Sequence, residues 1–135
     1  MKRFATANWN GSGKEGNGTL TTQSTAIQNA QYSFNSRFAE GVGTNPEELV
    51  AAAHAGCFSM KLAFVCGAGN VTPERIDTKC TITLEDGAIT SSHLDVSVKA
   101  NITAEQLETF VADAKANCPI SKLYNTNITA TAVLA

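Results

Sequence analysis

The period of apolar positions changes several times along the chain, and each change marks an element. Residues 4–9 and 17–25 read as strands. The second is rich in β-branched threonine (Thr19, Thr21, Thr22, Thr25), and glycines 11, 13, 16 and 18 supply the turn between them. Residues 26–44 follow no regular period, apart from a short extended piece around Tyr32 to Phe34. A helix then starts at Asn45. Its side chain can cap the first turn, Pro46 suits the first helical position, and Glu48 stands at the capping-box position. From Leu49 to Val65 apolar residues fall on every side, and Gly67 and Gly69 are expected to end the helix. A hairpin follows. Ile76, Cys80, Ile82 and Leu84 alternate with Asp77, Lys79, Thr81 and Thr83, and Asp86-Gly87 signals the turn. The returning strand puts Leu94, Val96, Val98 and Ala100 on one face and His93, Asp95, Ser97 and Lys99 on the other. A second helix opens with the Thr103/Gln106 capping box. It carries the stripe Leu107, Phe110, Val111 and Ala114 and stops at Pro119. A last strand covers 127–134. The order β-β-α-β-β-α-β, without repeats or linkers, predicts an α+β fold in a single domain spanning 1–135.

A helix that is apolar all round must be surrounded by protein. A chain of 135 residues, 43% of them hydrophobic, can bury a core but has little left to enclose such a helix completely. A partner subunit is therefore expected. His54, Ser59 and Lys61 interrupt the apolar run, which argues for a buried soluble helix over a membrane span. Ten basic and twelve acidic residues, fairly evenly spread, give a net charge of −2 and no basic stripe, so nucleic acid is not an expected partner. The start, Met1-Lys2-Arg3-Phe4, has no apolar run behind it and does not read as a secretory signal, so a cytoplasmic location is expected.

Charge excludes little else; the cysteines say more. Cys57, Cys66, Cys80 and Cys118 form no Cys-x-x-Cys, and no Cys/His spacing fits a structural zinc site. Cys80 continues the apolar face of its strand and reads as core. Cys66 lies nine residues from Cys57, which at ~100° per residue is the opposite side of the same helix. Cys118 extends the inward stripe of the second helix, and Cys57 lies on the central helix. Position alone leaves core packing and chemistry equally open for both. If Cys57 and Cys118 meet, one sulfur can take oxidation and the other can resolve it, as in a thiol peroxidase.

A nucleophilic Cys57 must ionise, and burial opposes that. The helix dipole is too far away to help, since Asn45 is roughly 18 Å back along the helix at ~1.5 Å per residue. A cation is needed. His54, Lys61 and Arg37 are the candidates; His54 also reads as a hydrogen-bonded core histidine, Lys61 as a snorkelling surface lysine, and Arg37 as a surface arginine between Phe34 and Phe38. Glu47, a first-turn acid, is ~15 Å from Cys57 along the helix. It is expected to serve Cys57 only from another chain whose helix packs antiparallel.

Four segments together are specific. Phe34-Asn35-Ser36-Arg37-Phe38, Gly43-Thr44-Asn45-Pro46-Glu47-Glu48-Leu49, Ala52-Ala53-His54-Ala55-Gly56-Cys57-Phe58-Ser59-Met60 and Asn117-Cys118-Pro119-Ile120-Ser121 occur in this order. They resemble the OsmC/Ohr family of osmotically inducible and organic-hydroperoxide-resistance peroxidases, on the OsmC side. The resemblance implies an OsmC-like fold as an intertwined homodimer, with sheets wrapping two central helices and active sites at the subunit interface. It implies that Cys57 is the peroxidatic and Cys118 the resolving cysteine. Arg37 would stabilise the thiolate and polarise the peroxide, and Glu47 would orient Arg37. The implied substrate is an organic hydroperoxide, and the implied reductant an external, lipoyl-type dithiol. No cofactor or metal is expected. Phe34, Phe38, Phe58 and Phe110 are expected to line an alkyl-binding pocket. Two other functions remain open to the sequence: a thiol-switch redox sensor that oxidises without efficient turnover, and a structural dimer module with inert core thiols.

Overall fold

Each of the two glycine and aspartate-glycine turns anticipated above closes an antiparallel pair, and each pair seeds a three-stranded sheet. The computed structural model describes all 135 residues, which form two compact units, Met1–Leu49 and Val50–Ala135. The first unit holds β1 (Ala5–Asn10), β2 (Asn17–Thr22), β3 (Ala30–Ser33) and the short helix α1 (Phe34–Phe38). Its sheet has the order β1-β2-β3 and is antiparallel throughout. Trp9 of β1 packs on Tyr32 of β3 across Gly18, with ring centroids 5.2 Å apart. Gly18 is required there, because a Cβ would lie 2.6 Å from the Tyr32 ring and 2.2 Å from the Asn8 carbonyl oxygen.

Helix α2 (Pro46–Ala68) runs on into the second unit, followed by β4 (Arg75–Glu85), β5 (Ala88–Lys99), α3 (Ala104–Asn117), α4 (Pro119–Leu123) and β6 (Asn127–Leu134). The sheet order is β4-β5-β6. The hairpin turns through Asp86 and Gly87, at φ 49° and 80°, the two successive positive angles that an Asp-Gly turn accommodates. β6 then pairs parallel to β5, from Ser91↔Asn127 to Val98↔Leu134. A parallel neighbour needs a long crossover, and α3 and α4 are that crossover. The core joins Phe58, Leu62 and Cys66 of α2, Leu94, Val96 and Val98 of β5, and Leu107, Val111 and Ala114 of α3, with Cys118. The predicted inward faces of β5 and α3 are thus the observed ones. Each large apolar side chain buried here contributes on the order of 1.5–3 kcal/mol.

The α+β class and the two long helices agree with the pattern, and the structure adds three elements. The extended piece near Tyr32 is a true strand, β3. Residues 34–38, expected to be irregular, form α1, because Ser33 caps the Ser36 amide and the Ser36 hydroxyl answers the Ser33 amide. That is a capping box with serine in place of the usual Glu or Gln. Pro119 both ends α3 and opens α4, where its missing N–H costs nothing.

Two helix-end expectations change. Gly67 lies inside α2, and the left-handed residue beyond its end is Asn70, at φ 60°. Gly69 is needed for space instead, since a Cβ would meet the Phe110 ring at 2.7 Å. At the other end Asn45 Oδ1 accepts from the Glu48 amide at 2.8 Å, but the Glu48 carboxylate accepts from Thr44 Oγ1 at 2.6 Å, so the capping box is only half made.

Candidate active site

The sequence Gly43-Thr44-Asn45-Pro46-Glu47 builds a rigid corner. Gly43 takes φ 113°, and a Cβ there would lie 2.1 Å from the Gln31 carbonyl oxygen, so only glycine fits. The Thr44 amide donates to that same carbonyl at 2.8 Å. Asn45 Nδ2 donates to the Ser36 carbonyl at 2.9 Å and ties α1 to the head of α2. This corner sets Glu47, in the first turn of α2, opposite Arg37, in the last turn of α1. Arg37 Nε donates to Glu47 Oε2 at 3.2 Å, and Nη2 donates to Oε1. The pair is a two-pronged fork, with the arginine side chain 35% and the carboxylate 18% exposed. Hydrogen bonding to Arg37 holds the Glu47 carboxyl below its ordinary value of 4.5, and the same bond raises Arg37. Of five guanidinium N–H groups, two are spent on Glu47 and three remain to address another group. Phe38 stacks under the guanidinium at 4.8 Å. Beside it, Trp9, Gly13, Tyr32, Ser33, Phe34 and Arg37 line a cleft of about 270 Å³.

Glu47 is paired with Arg37 of its own chain. The two side chains therefore form one preassembled pair, whichever group they address.

In the second unit, α2 carries Cys57 half-buried, and the α3–α4 junction carries Cys118 fully buried. All four cysteines are free thiols, and Cys118 Sγ lies 2.8 Å from Cys57 Sγ. The two sulfurs are in contact across 61 residues of chain. Burial pushes the Cys57 thiol above its ordinary 9.0, and the bond to Cys118 adds to this, while the Ile120 backbone N–H works against it. Nothing among these neighbours makes Cys57 a ready thiolate. His54 cannot supply the charge. It is fully buried, burial lowers its pKa and favours the neutral ring, and its nitrogens hydrogen-bond the Ser92 and Ser121 hydroxyls, with the Cys80 sulfur 3.9 Å from Nδ1. Lys61 forms no ion pair. Of the three candidate cations, Arg37 is the one held in an ion pair, by Glu47.

Cys66 is a core residue, as expected. Cys80 packs against the same core, and its Sγ also lies 3.2 Å from Ser92 Oγ and 3.9 Å from His54 Nδ1. Of the four phenylalanines expected to line a pocket, Phe58 is buried in the core and Phe110 packs on Gly69, whereas Phe34 and Phe38 stand together beside Arg37 at 4.9 Å. Trp9 and Tyr32 were the aromatic residues missed, and their strand pairing across Gly18 was the available signal. No three His, Cys, Asp or Glu side chains gather closely enough to hold a metal ion.

The OsmC-like protein family profile matches residues 39–132, which include Glu47, Cys57 and Cys118. Peroxiredoxin OsmC of Escherichia coli (strain K12) is 41% identical over 128 residues, covering 91% of this chain and 90% of its own. An organic hydroperoxide resistance protein-like chain of Staphylococcus aureus (strain USA300) is 32% identical over 95 residues, covering 67% of this chain and 68% of its own. Among solved structures, the organic hydroperoxide resistance protein OhrB of Bacillus subtilis superposes with a TM-score of 0.69 at 26% identity, covering 98% of each chain. The resemblance read from the four sequence segments, the free Cys57–Cys118 contact and these matches agree: this chain belongs to the OsmC-like family, on its OsmC branch.

Proposed function

We propose that this protein is a thiol-dependent peroxidase that reduces organic hydroperoxides to alcohols, with Cys57 as the attacking sulfur and Cys118 as the resolving one. The observation that carries the proposal is the 2.8 Å approach of two free thiols from distant parts of the chain. Its relatives' names, peroxiredoxin and organic hydroperoxide resistance protein, support the same activity.

The chemistry balances as follows. Cys57 thiolate attacks the distal oxygen of the hydroperoxide, the O–O bond breaks, and the alkoxide leaves and takes a proton to become the alcohol. Cys57 is now a sulfenic acid, oxidised by two electrons. The Cys118 sulfur displaces its hydroxyl, which departs as water with the Cys118 proton, and a Cys57–Cys118 disulfide forms. An external dithiol, of lipoyl type by family resemblance, reduces the disulfide by exchange and is itself oxidised. Arg37 stabilises the Cys57 thiolate and the developing alkoxide through its free N–H groups, and Glu47 fixes its orientation.

The functional unit is a homodimer. Met60 and Phe64 on α2 are 66% and 69% exposed, a liability on a helix this apolar that a second copy would cover. Glu47 and Cys57 are ten helical residues apart, so the Arg37–Glu47 pair of one subunit serves Cys57 of the other. The two units act as one OsmC-like domain. Four free thiols suit a reducing cytoplasm.

The test is turnover of cumene hydroperoxide with dihydrolipoamide as donor, for the unmodified protein and its Cys57→Ser and Cys118→Ser variants. Both variants should lose turnover. Loss confined to Cys66→Ser or Cys80→Ser would sink the assignment, and stoichiometric oxidation without turnover would identify a thiol switch instead.

A further inference from the structure

The mechanism leaves one buried polar cluster without a task. His54 has no exposed surface, yet both its ring nitrogens are engaged: Nδ1 lies 2.6 Å from Ser92 Oγ and Nε2 lies 2.8 Å from Ser121 Oγ. A neutral imidazole donates from one nitrogen and accepts at the other, so one serine receives a hydrogen bond from the ring and the other gives one. Ser92 belongs to the central strand β5 and Ser121 to α4, and both are themselves buried.

The spacing of these contacts is regular. His54 precedes Cys57 by three residues on α2, and Ser121 follows Cys118 by three. One further step out, Tyr124 donates from its hydroxyl to the Val50 carbonyl at 2.7 Å, and its ring stands edge-on to His54 at 5.1 Å. Val50–Tyr124, His54–Ser121 and Cys57–Cys118 are three successive rungs between the same two antiparallel segments. The cysteine rung is made and broken in every catalytic cycle. The other two require no redox change.

We propose that His54, acting through Ser121, is a positioning residue for the resolving step: it holds the Cys118 segment against α2 so that the Cys118 thiol meets the Cys57 sulfenic acid as soon as it forms. His54 touches neither sulfur. Its effect is on the effective concentration of the Cys118 thiol, and hence on how often the sulfenic acid becomes a disulfide and not a sulfinic acid. The proposal rests on the two-thiol mechanism above and adds no reactant to it, since condensation of the sulfenic acid with Cys118 still yields one disulfide and one water.

Ser121→Ala removes the rung while barely changing side-chain volume, Ser121→Thr keeps the hydroxyl, and Ser92→Ala removes the other hydrogen bond of the same ring. Each full-length variant is reduced and given an excess of tert-butyl hydroperoxide, one equivalent of which makes the sulfenic acid and a second the sulfinic acid. Sulfenic acid trapping, sulfinic acid and the Cys57–Cys118 disulfide are followed by mass spectrometry. Each variant is also equilibrated in dithiothreitol redox buffers. Ser121→Ala should form sulfenic acid at the unmodified rate but close the disulfide about tenfold more slowly, with more sulfinic acid and a disulfide more readily reduced. Ser121→Thr should restore closure, and Ser92→Ala should slow it less than Ser121→Ala does at equal loss of stability. Unchanged closure and unchanged equilibrium in Ser121→Ala overturn the proposal alone, as does equal slowing by both alanine variants. Absence of the disulfide from the unmodified protein overturns the two-thiol mechanism, and this proposal with it.

Discussion

Arg37 grips both carboxylate oxygens of Glu47 within a single chain, through Nε and Nη2. A fork of this kind fixes the guanidinium plane as well as its place, which a lysine cannot do. Arg37→Lys therefore keeps the charge and loses the aim. Turnover of cumene hydroperoxide should fall roughly a hundredfold, as for loss of one preorganised donor. Glu47→Gln leaves the arginine in place but unanchored, so its loss should be the smaller of the two.

The same pair predicts an acid limit. Glu47 has a folded pKa below its ordinary 4.5, chiefly through its hydrogen bond to Arg37. Its contribution to stability is fully present above 4.5 and is lost as pH falls through the depressed folded value. The stability gap between the unmodified protein and Glu47→Gln, read from denaturant midpoints, should stay constant above pH 4.5 and close below it.

Cys118→Ser should stop the cycle after its first half. One equivalent of hydroperoxide would be consumed, and Cys57 would remain as a sulfenic acid open to trapping and to further oxidation. Trapping in Cys118→Ser but not in Cys57→Ser, read by mass spectrometry, checks the order of the two sulfurs.

Phe64, 69% exposed on α2, tests the dimer. Phe64→Glu places a charge where a second copy is proposed to pack. Sedimentation should show a dimer for the unmodified protein and a shift toward monomer for the variant, with peroxide turnover lost alongside.

Gly69→Ala should destabilise the fold by about 1–3 kcal/mol, the usual range for overpacking. Its Cβ would stand 2.7 Å from Phe110 Cζ, and Phe110 packs against the core. Chemical denaturation of the Cys66→Ser background with and without Gly69→Ala measures this without interference from that buried thiol.

Elements with a strong local signal were legible in the sequence. Thr103 and Gln106 cap α3 as predicted, Asp86-Gly87 turns the hairpin, and the last strand occupies Asn127–Leu134. The short helices were not, because five residues cannot show a period, and the Ser33/Ser36 capping box lacks the usual acidic partner. Cysteine positions left Cys57 and Cys118 undecided between core and chemistry, since inward-facing residues of two helices need not meet. Ser92 and Ser121 were overlooked for a related reason. Ser92 is in phase with Leu94, Val96 and Val98, so its place on the inward face could be read, but its partner His54 lies 38 residues away. Sequence period reports which face a residue takes, whereas a site depends on which faces are brought together.

The parallel pairing of β5 with β6 has a consequence for biogenesis. Cys118 sits on the crossover between those strands, so the sheet that fixes its segment is complete only when β6 has joined it. Until then a growing chain exposes Cys57 with Cys66 and Cys80 nearer in sequence than its proper partner. The Cys57–Cys118 contact spans 61 residues, farther than Cys57 lies from Cys66 or Cys80, so a chain oxidised before it finishes folding is expected to join the wrong sulfurs. A chain kept reduced until folding is complete is therefore expected to form the Cys57–Cys118 contact, and one oxidised earlier to lose it.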